Sequence, residues 1–135
     1  IRDDIAFGPK SRGLKGAALE AAVDAVIARL GLQALADRRP HELSGGELQL
    51  AALAAVVVTA PDLVIFDEPT NQLDLKNRAI VQAAIEGLTQ QAIVISHDLD
   101  LVAAFERVLV FHQGRIAFDG EAGAAIARYR EIALS

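Results

Sequence analysis

The sequence contains no cysteine, and only 4% of its 135 residues are aromatic. The lack of cysteine excludes a disulfide framework and any metal centre built on thiolates, and it is compatible with a reducing compartment. Basic charge is also short. Thirteen Lys and Arg stand against 18 Asp and Glu, giving a net charge of −5 and a pI near 5.1. That balance argues against broad nucleic-acid binding, which needs a basic face. No long apolar run occurs. The most apolar stretch, Leu50 to Phe66, is broken by Pro61-Asp62 and falls short of the roughly 20 residues a spanning helix needs. The first ten residues are charged and include Gly8-Pro9, unlike a secretory leader. There is no internal repeat and no low-complexity segment.

What is present is 53% hydrophobic residue, mostly Ala, Val, Leu and Ile, in a chain of one domain's usual length. Leu63-Val64-Ile65-Phe66 reads as a buried parallel strand that runs into Asp67-Glu68 and then the turn Pro69-Thr70-Asn71. Both carboxylates thus fall at the carboxyl end of a strand, the edge where open α/β sheets place ligands. Without a positive partner, two acids there cost desolvation energy.

The chain before this strand is helical in pattern. Ile1 to Phe7 reads as a short helix or strand, broken by Gly8-Pro9. Leu19, Ala22, Val23, Val26, Ile27 and Leu30 recur at helical spacing, and Gly31 stops that helix. Ser44 and Glu47 have capping-box spacing for a helix running to about Thr59, apolar nearly all round and hence expected to be buried.

After it, Leu75 to Leu88 predicts a helix and Ala92 to Ser96 a second buried strand. Strand, helix and strand cover about 35 residues, one βαβ unit. His97 then falls on the same sheet edge as Asp67 and Glu68. Asp98 to Phe105 reads as a short helix, Arg107 to Phe118 as a hairpin turning at Gln113-Gly114, and Glu121 to about Leu134 as a terminal helix.

Three features can carry chemistry, each with a plainer alternative. Ser44-Gly45-Gly46 at a helix start offers free N–H groups to an anion, or is only a cap. Asp67 is placed to hold a divalent cation and Glu68 to accept a proton from water, or both are solvated turn acids. His97 can orient a nucleophile or hold a phosphate oxygen, or is structural; His97-Asp98-Leu99-Asp100 makes a weak metal set.

Taken together, Leu43-Ser44-Gly45-Gly46-Glu47, Leu63 through Thr70, Leu73-Asp74 and Ser96-His97-Asp98 strongly resemble the ATP-binding-cassette (ABC) ATPase domain. In order they look like its signature motif, its Walker B strand with the catalytic glutamate, its D-loop and its switch histidine. The resemblance implies an α/β fold, a partial P-loop NTPase with parallel strands flanked by helices. About 1–42 would belong to the helical subdomain and about 43–135 to the core. Asp4 to Pro9 and Leu48 to Leu53 are similar to the ATPases of cobalt- and biotin-type energy-coupling-factor importers.

The roles implied by the resemblance follow. ATP and Mg²⁺ are the expected cofactors. Asp67 would help hold Mg²⁺, Glu68 would be the general base, and His97 would contact the γ-phosphate. Ser44, Gly45, Gly46 and Glu47 would bind the nucleotide on a second ABC ATPase subunit, and Asp74 would couple the two sites. Transmembrane transporter subunits are expected partners, with the ATPase peripheral on the cytoplasmic face of the cell membrane and no nucleic acid bound. The alternative is a non-transport ABC protein, a nucleotide-switched clamp on ribosomes or chromosomes.

Three departures stand out. Glu47 replaces the usual Gln, Leu50 replaces a usual basic residue, and no G-x-x-x-x-G-K-[ST] occurs anywhere. Together with the start at Ile1, the last leads to the expectation that the chain is a C-terminal fragment holding half a site. Alone it should then be poorly stable.

Overall fold

The computed structural model describes residues 1–135. Helices come first: α1 (Arg2–Ser11), α2 (Gly16–Leu30) and α3 (Gly45–Val57), with short 3₁₀ turns at Gln33–Leu35 and Pro40–Glu42. A strand–helix–strand unit follows, β1 (Leu63–Asp67), α4 (Leu75–Glu86) and β2 (Gln91–Ile95). The chain ends with α5 (Leu99–Val102), the hairpin β3 (Val108–His112) and β4 (Arg115–Gly120), and α6 (Ala122–Leu134). No helix is long and apolar enough to cross a membrane.

Gly8-Pro9 does not break the first helix, which runs through both residues to Ser11. Tertiary packing overrides the local signal. A Cβ at Gly8 would fall 2.9 Å from Thr59 Cγ2, so this glycine lets α1 lie close against the end of α3. Pro9 is buried near the last turn and costs α1 the one hydrogen bond its missing N–H would make to the preceding turn. Gly31 does stop α2, in the left-handed conformation with φ 67°.

The core gathers Ile5 of α1, Val23 and Ile27 of α2, Leu50, Leu53, Ala54 and Val57 of α3, and Val81 and Ile85 of α4 around one centre. Helix α3 supplies its middle, although Ala52 and Val56 reach solvent, so its burial is less complete than its composition predicts.

Strands β1 and β2 pair in parallel, Ile65 opposite Ile93 and Asp67 opposite Ile95. They form a sheet of two strands, and β3–β4 form a separate antiparallel pair. The expectation of buried strands fails on one face. Val64 is buried and Phe66, Ala92 and Val94 are partly buried toward the helices, whereas Leu63, Ile65, Ile93 and Ile95 point the other way and are exposed, Ile65 at 63%. Continuous apolar sequence signals a strand covered on both faces, and within this chain only one face is covered.

Candidate functional site

The carboxyl edge of β1 and β2 brings Glu68 and His97 together. Glu68 N donates to Ile95 O at 2.8 Å, extending the strand pairing by one residue past Asp67. The Glu68 backbone then takes φ 50°, left-handed geometry that a residue with a side chain adopts at a cost. Glu68 Oε1 lies 3.5 Å from His97 Nε2, with Glu68 mostly covered and His97 open to solvent. The Nδ1 side of the same ring lies 3.3 Å from Tyr129 Oη of α6.

Beneath them Asp98 ties the site to the framework. Its carboxylate accepts from Thr70 Oγ1 at 2.9 Å and Arg78 Nε at 3.1 Å, and it pairs with Arg78 Nη2 at 2.6 Å. It also caps α5, accepting from the N–H groups of Asp100 and Leu101. Burial pushes the Asp98 pKa up, but the hydrogen bonds from Arg78, Thr70 and Leu101 outweigh it and hold the carboxyl below its usual range. Glu68, Thr70, Asn71, Gln72, Arg78 and His97 surround an open cleft of about 540 Å³.

The Ser44 segment lies at the start of α3. Ser44 Oγ accepts from Glu47 N at 3.2 Å and Glu47 Oε1 accepts from Ser44 N at 2.9 Å, a reciprocal capping box. The Ser44 N–H holds the Glu47 carboxyl below its usual range, against a smaller opposing effect of desolvation. Gly46 is buried, and a Cβ there would fall 2.5 Å from Asn77 Cβ on α4. Gly45 sits against Leu73, which also lines the Glu68 cleft. The glycines therefore already have a packing reason, separate from any ligand. Asp74 is the N-cap of α4, accepting from Asn77 N at 2.8 Å.

Asp67 is exposed at the strand end. No group of three or more His, Asp or Glu side chains is arranged to hold a metal ion. A single free carboxylate still fits Mg²⁺, which keeps several waters and commonly takes one or two carboxylates plus substrate phosphates.

Sequence reasoning missed Tyr129 and Arg78. Tyr129 is the only tyrosine of the chain, lying 32 positions from His97 with no motif around it. Arg78 offered a weak signal, as one of two basic residues, with Lys76, in the first turns of a helix whose pattern stands out for its apolar face.

The family model described as "ABC transporter" matches residues 2–71. The "Biotin transport ATP-binding protein BioM" of Rhizobium etli is 66% identical over 98% of this chain, and the chain spans 59% of that relative. The protein of the same description from Rhodobacter capsulatus is 40% identical over 96% of this chain and 55% of its own length. Among solved structures, that of cbiO1 from Clostridium perfringens, described as part of the ABC transporter complex cbiONQ, matches with a TM-score of 0.83 at 28% identity. The match covers 96% of this chain and 55% of that one.

Proposed function

The chain belongs to the ABC transporter family, and from that premise we propose that it forms the signature and water-activating part of an ATPase. That ATPase hydrolyses ATP to power import of a vitamin or metal ion of the biotin or cobalt type. It works at the cytoplasmic face of the cell membrane, paired with a second ATPase subunit and seated on transmembrane subunits. The relatives described as biotin transport ATP-binding proteins favour biotin as the cargo. This chain has no P-loop, so the β- and γ-phosphates are cradled by polypeptide outside it. About 1–42 serves as helical subdomain and 43–135 as core.

In this reading Glu68 accepts the proton of the attacking water, and His97 contacts that water and the γ-phosphate. Asp67 would hold Mg²⁺, which would neutralise phosphate charge. Ser44, Gly45, Gly46 and Glu47 present the N-terminus of α3 to the nucleotide of the second subunit. Asp74 couples the two sites through the loop it shares with Leu73. The observation that carries the reading is the 3.5 Å approach of Glu68 to His97 at a parallel-strand edge, next to a free Asp67 carboxylate.

The test compares wild type with Glu68→Gln in a complete cassette, this chain joined to its P-loop segment. The variant should bind ATP and dimerise while kcat falls on the order of 100-fold or more. Unchanged turnover would remove Glu68 from its role. ATP-dependent uptake of labelled biotin by vesicles carrying the membrane subunits decides the cargo; uptake of cobalt alone would reject biotin.

A further inference from the structure

We propose that Tyr129 is a positioning residue, whose hydroxyl donates to His97 Nδ1 and thereby fixes the imidazole with its Nε2–H aimed at Glu68. Nothing else holds that ring in place. The His97 side chain is 81% exposed, so packing does not restrain it. Its polar neighbours lie at opposite ends: Glu68 Oε1 at 3.5 Å from Nε2 and Tyr129 Oη at 3.3 Å from Nδ1.

The direction of the Tyr129 hydrogen bond follows from the chemistry of the two partners. A carboxylate only accepts, whereas a phenol hydroxyl both donates and accepts. A neutral imidazole carries one N–H. Placed on Nε2, it faces the Glu68 carboxylate favourably and leaves Nδ1 as the acceptor for Tyr129 O–H. Placed on Nδ1, it would turn the ring's lone pair toward a negative carboxylate. The first arrangement satisfies both contacts and the second only one.

The hydroxyl is delivered by a rigid element. Glu121 caps the start of α6, accepting from Gly123 N at 2.9 Å and from Ala124 N. Ala122 and Ala125 of α6 are buried, and the helix packs on β3 and β4. Tyr129 follows Ala125 by one helical turn on the same face and is itself partly buried. His97 is anchored from its other side by the neighbouring Asp98. The backbone of His97 is thus fixed at the end of β2, and the remaining rotation of the ring is limited by Tyr129 of the terminal helix. A phenylalanine at 129 would fill the same space and donate nothing.

The consequence for turnover rests on the reading of His97 given above; the hydrogen bond does not, and the experiment separates them. In the complete cassette with ¹⁵N-labelled histidine, the His97 signals are assigned by their loss in His97→Ala. The Nδ1 shift of wild type should be that of a hydrogen-bonded acceptor, and Tyr129→Phe should move it to the free-acceptor value while the Nε2–H stays. Tyr129→Phe should lower kcat up to about tenfold, the rate equivalent of one lost hydrogen bond, with KM for ATP unchanged. In a His97→Ala background the same substitution should change kcat no further. A wild-type ring protonated on Nδ1, or an unchanged Nδ1 shift in Tyr129→Phe, overturns the proposal. So does an equal loss of kcat with and without His97. Full turnover in Glu68→Gln and His97→Ala would instead defeat the functional reading and leave the Nδ1 shift to decide the contact. Should Tyr129→Phe not fold, the wild-type Nδ1 shift decides by itself.

Discussion

Asp98 and Thr70, 28 positions apart in the chain, are joined by a 2.9 Å hydrogen bond in which the threonine hydroxyl donates. Thr70 is 4% exposed and lies two residues after Glu68, and Asp98 directly follows His97. The bond thus ties the loop leaving β1 to the loop leaving β2, and Arg78 of α4 fastens the same carboxylate from the helix between them. The backbones that carry Glu68 and His97, neither of which is deeply buried, are held together by this tie and by the Glu68 N–H bond to the Ile95 carbonyl.

Replacing Asp98 by Asn keeps the shape but removes the charge opposite Arg78. Its side chain is 12% exposed, so the loss leaves a poorly solvated pair broken. Stability should fall by about 2 kcal/mol at neutral pH in denaturant unfolding. The pH dependence has a definite sign. The folded-state pKa of Asp98 lies below its ordinary 3.8, so its contribution is complete above that value and is lost as pH falls through the depressed one. The Asn variant should therefore lose less stability than wild type between neutral pH and pH below about 4.

Gly46 and Gly45 should respond unequally to alanine. At Gly46 the new methyl meets the Cβ of Asn77 at 2.5 Å, an atom fixed to the α4 backbone. At Gly45 it meets only the tip of Leu73, at 3.2 Å, which can swing away. Gly46→Ala should cost about 1–3 kcal/mol and Gly45→Ala clearly less, read from the urea midpoints of the two variants. Equal midpoints would mean that α3 and α4 are not in close contact here.

The motifs themselves were legible because each is local. Ser44 and Glu47 announce a cap by their spacing, and Asp67, Glu68 and His97 share an edge because each follows a strand in one βαβ unit. What stayed hidden depends on distant chain. Pro9 signals a break because nothing local shows that α3 waits beside Gly8. Ile65 and Ile93 predict burial because an apolar run records a need for cover and not whether this stretch of chain supplies it. Tyr129 had no signal at all, since its meeting with His97 is set by how α6 lies on the hairpin.

The hairpin turn offers a stabilising change. Gln113 and Gly114, the two residues between β3 and β4, have φ 49° and 75°. Positive φ at both central positions is type I′ geometry, which favours Asn-Gly. Glutamine tolerates the left-handed region less readily than asparagine. Gln113→Asn should raise stability by about 0.5 kcal/mol without altering ATP turnover. A lower melting temperature in the variant would count against the turn assignment.

The uncovered sheet face gives a prediction about residues 1–135 in isolation. Leu63, Ile65, Ile93 and Ile95 form a contiguous apolar patch, because the parallel register sets Ile65 beside Ile93 and brings Ile95 level with Asp67. The outer edges of β1 and β2 are also unpaired, since the sheet stops at two strands. Exposed apolar area and free strand edges together favour association. The isolated segment should bind a hydrophobic dye such as ANS and scatter light increasingly with concentration. Ile65→Lys with Ile93→Thr should reduce both signals, since the two side chains are neighbours on that face and neither contributes to the helical core. The same pair of changes in the complete cassette should destabilise it, because a face covered there by other polypeptide would receive a buried charge. A monomeric wild-type segment with a cooperative thermal transition and no dye binding would show that the face needs no cover.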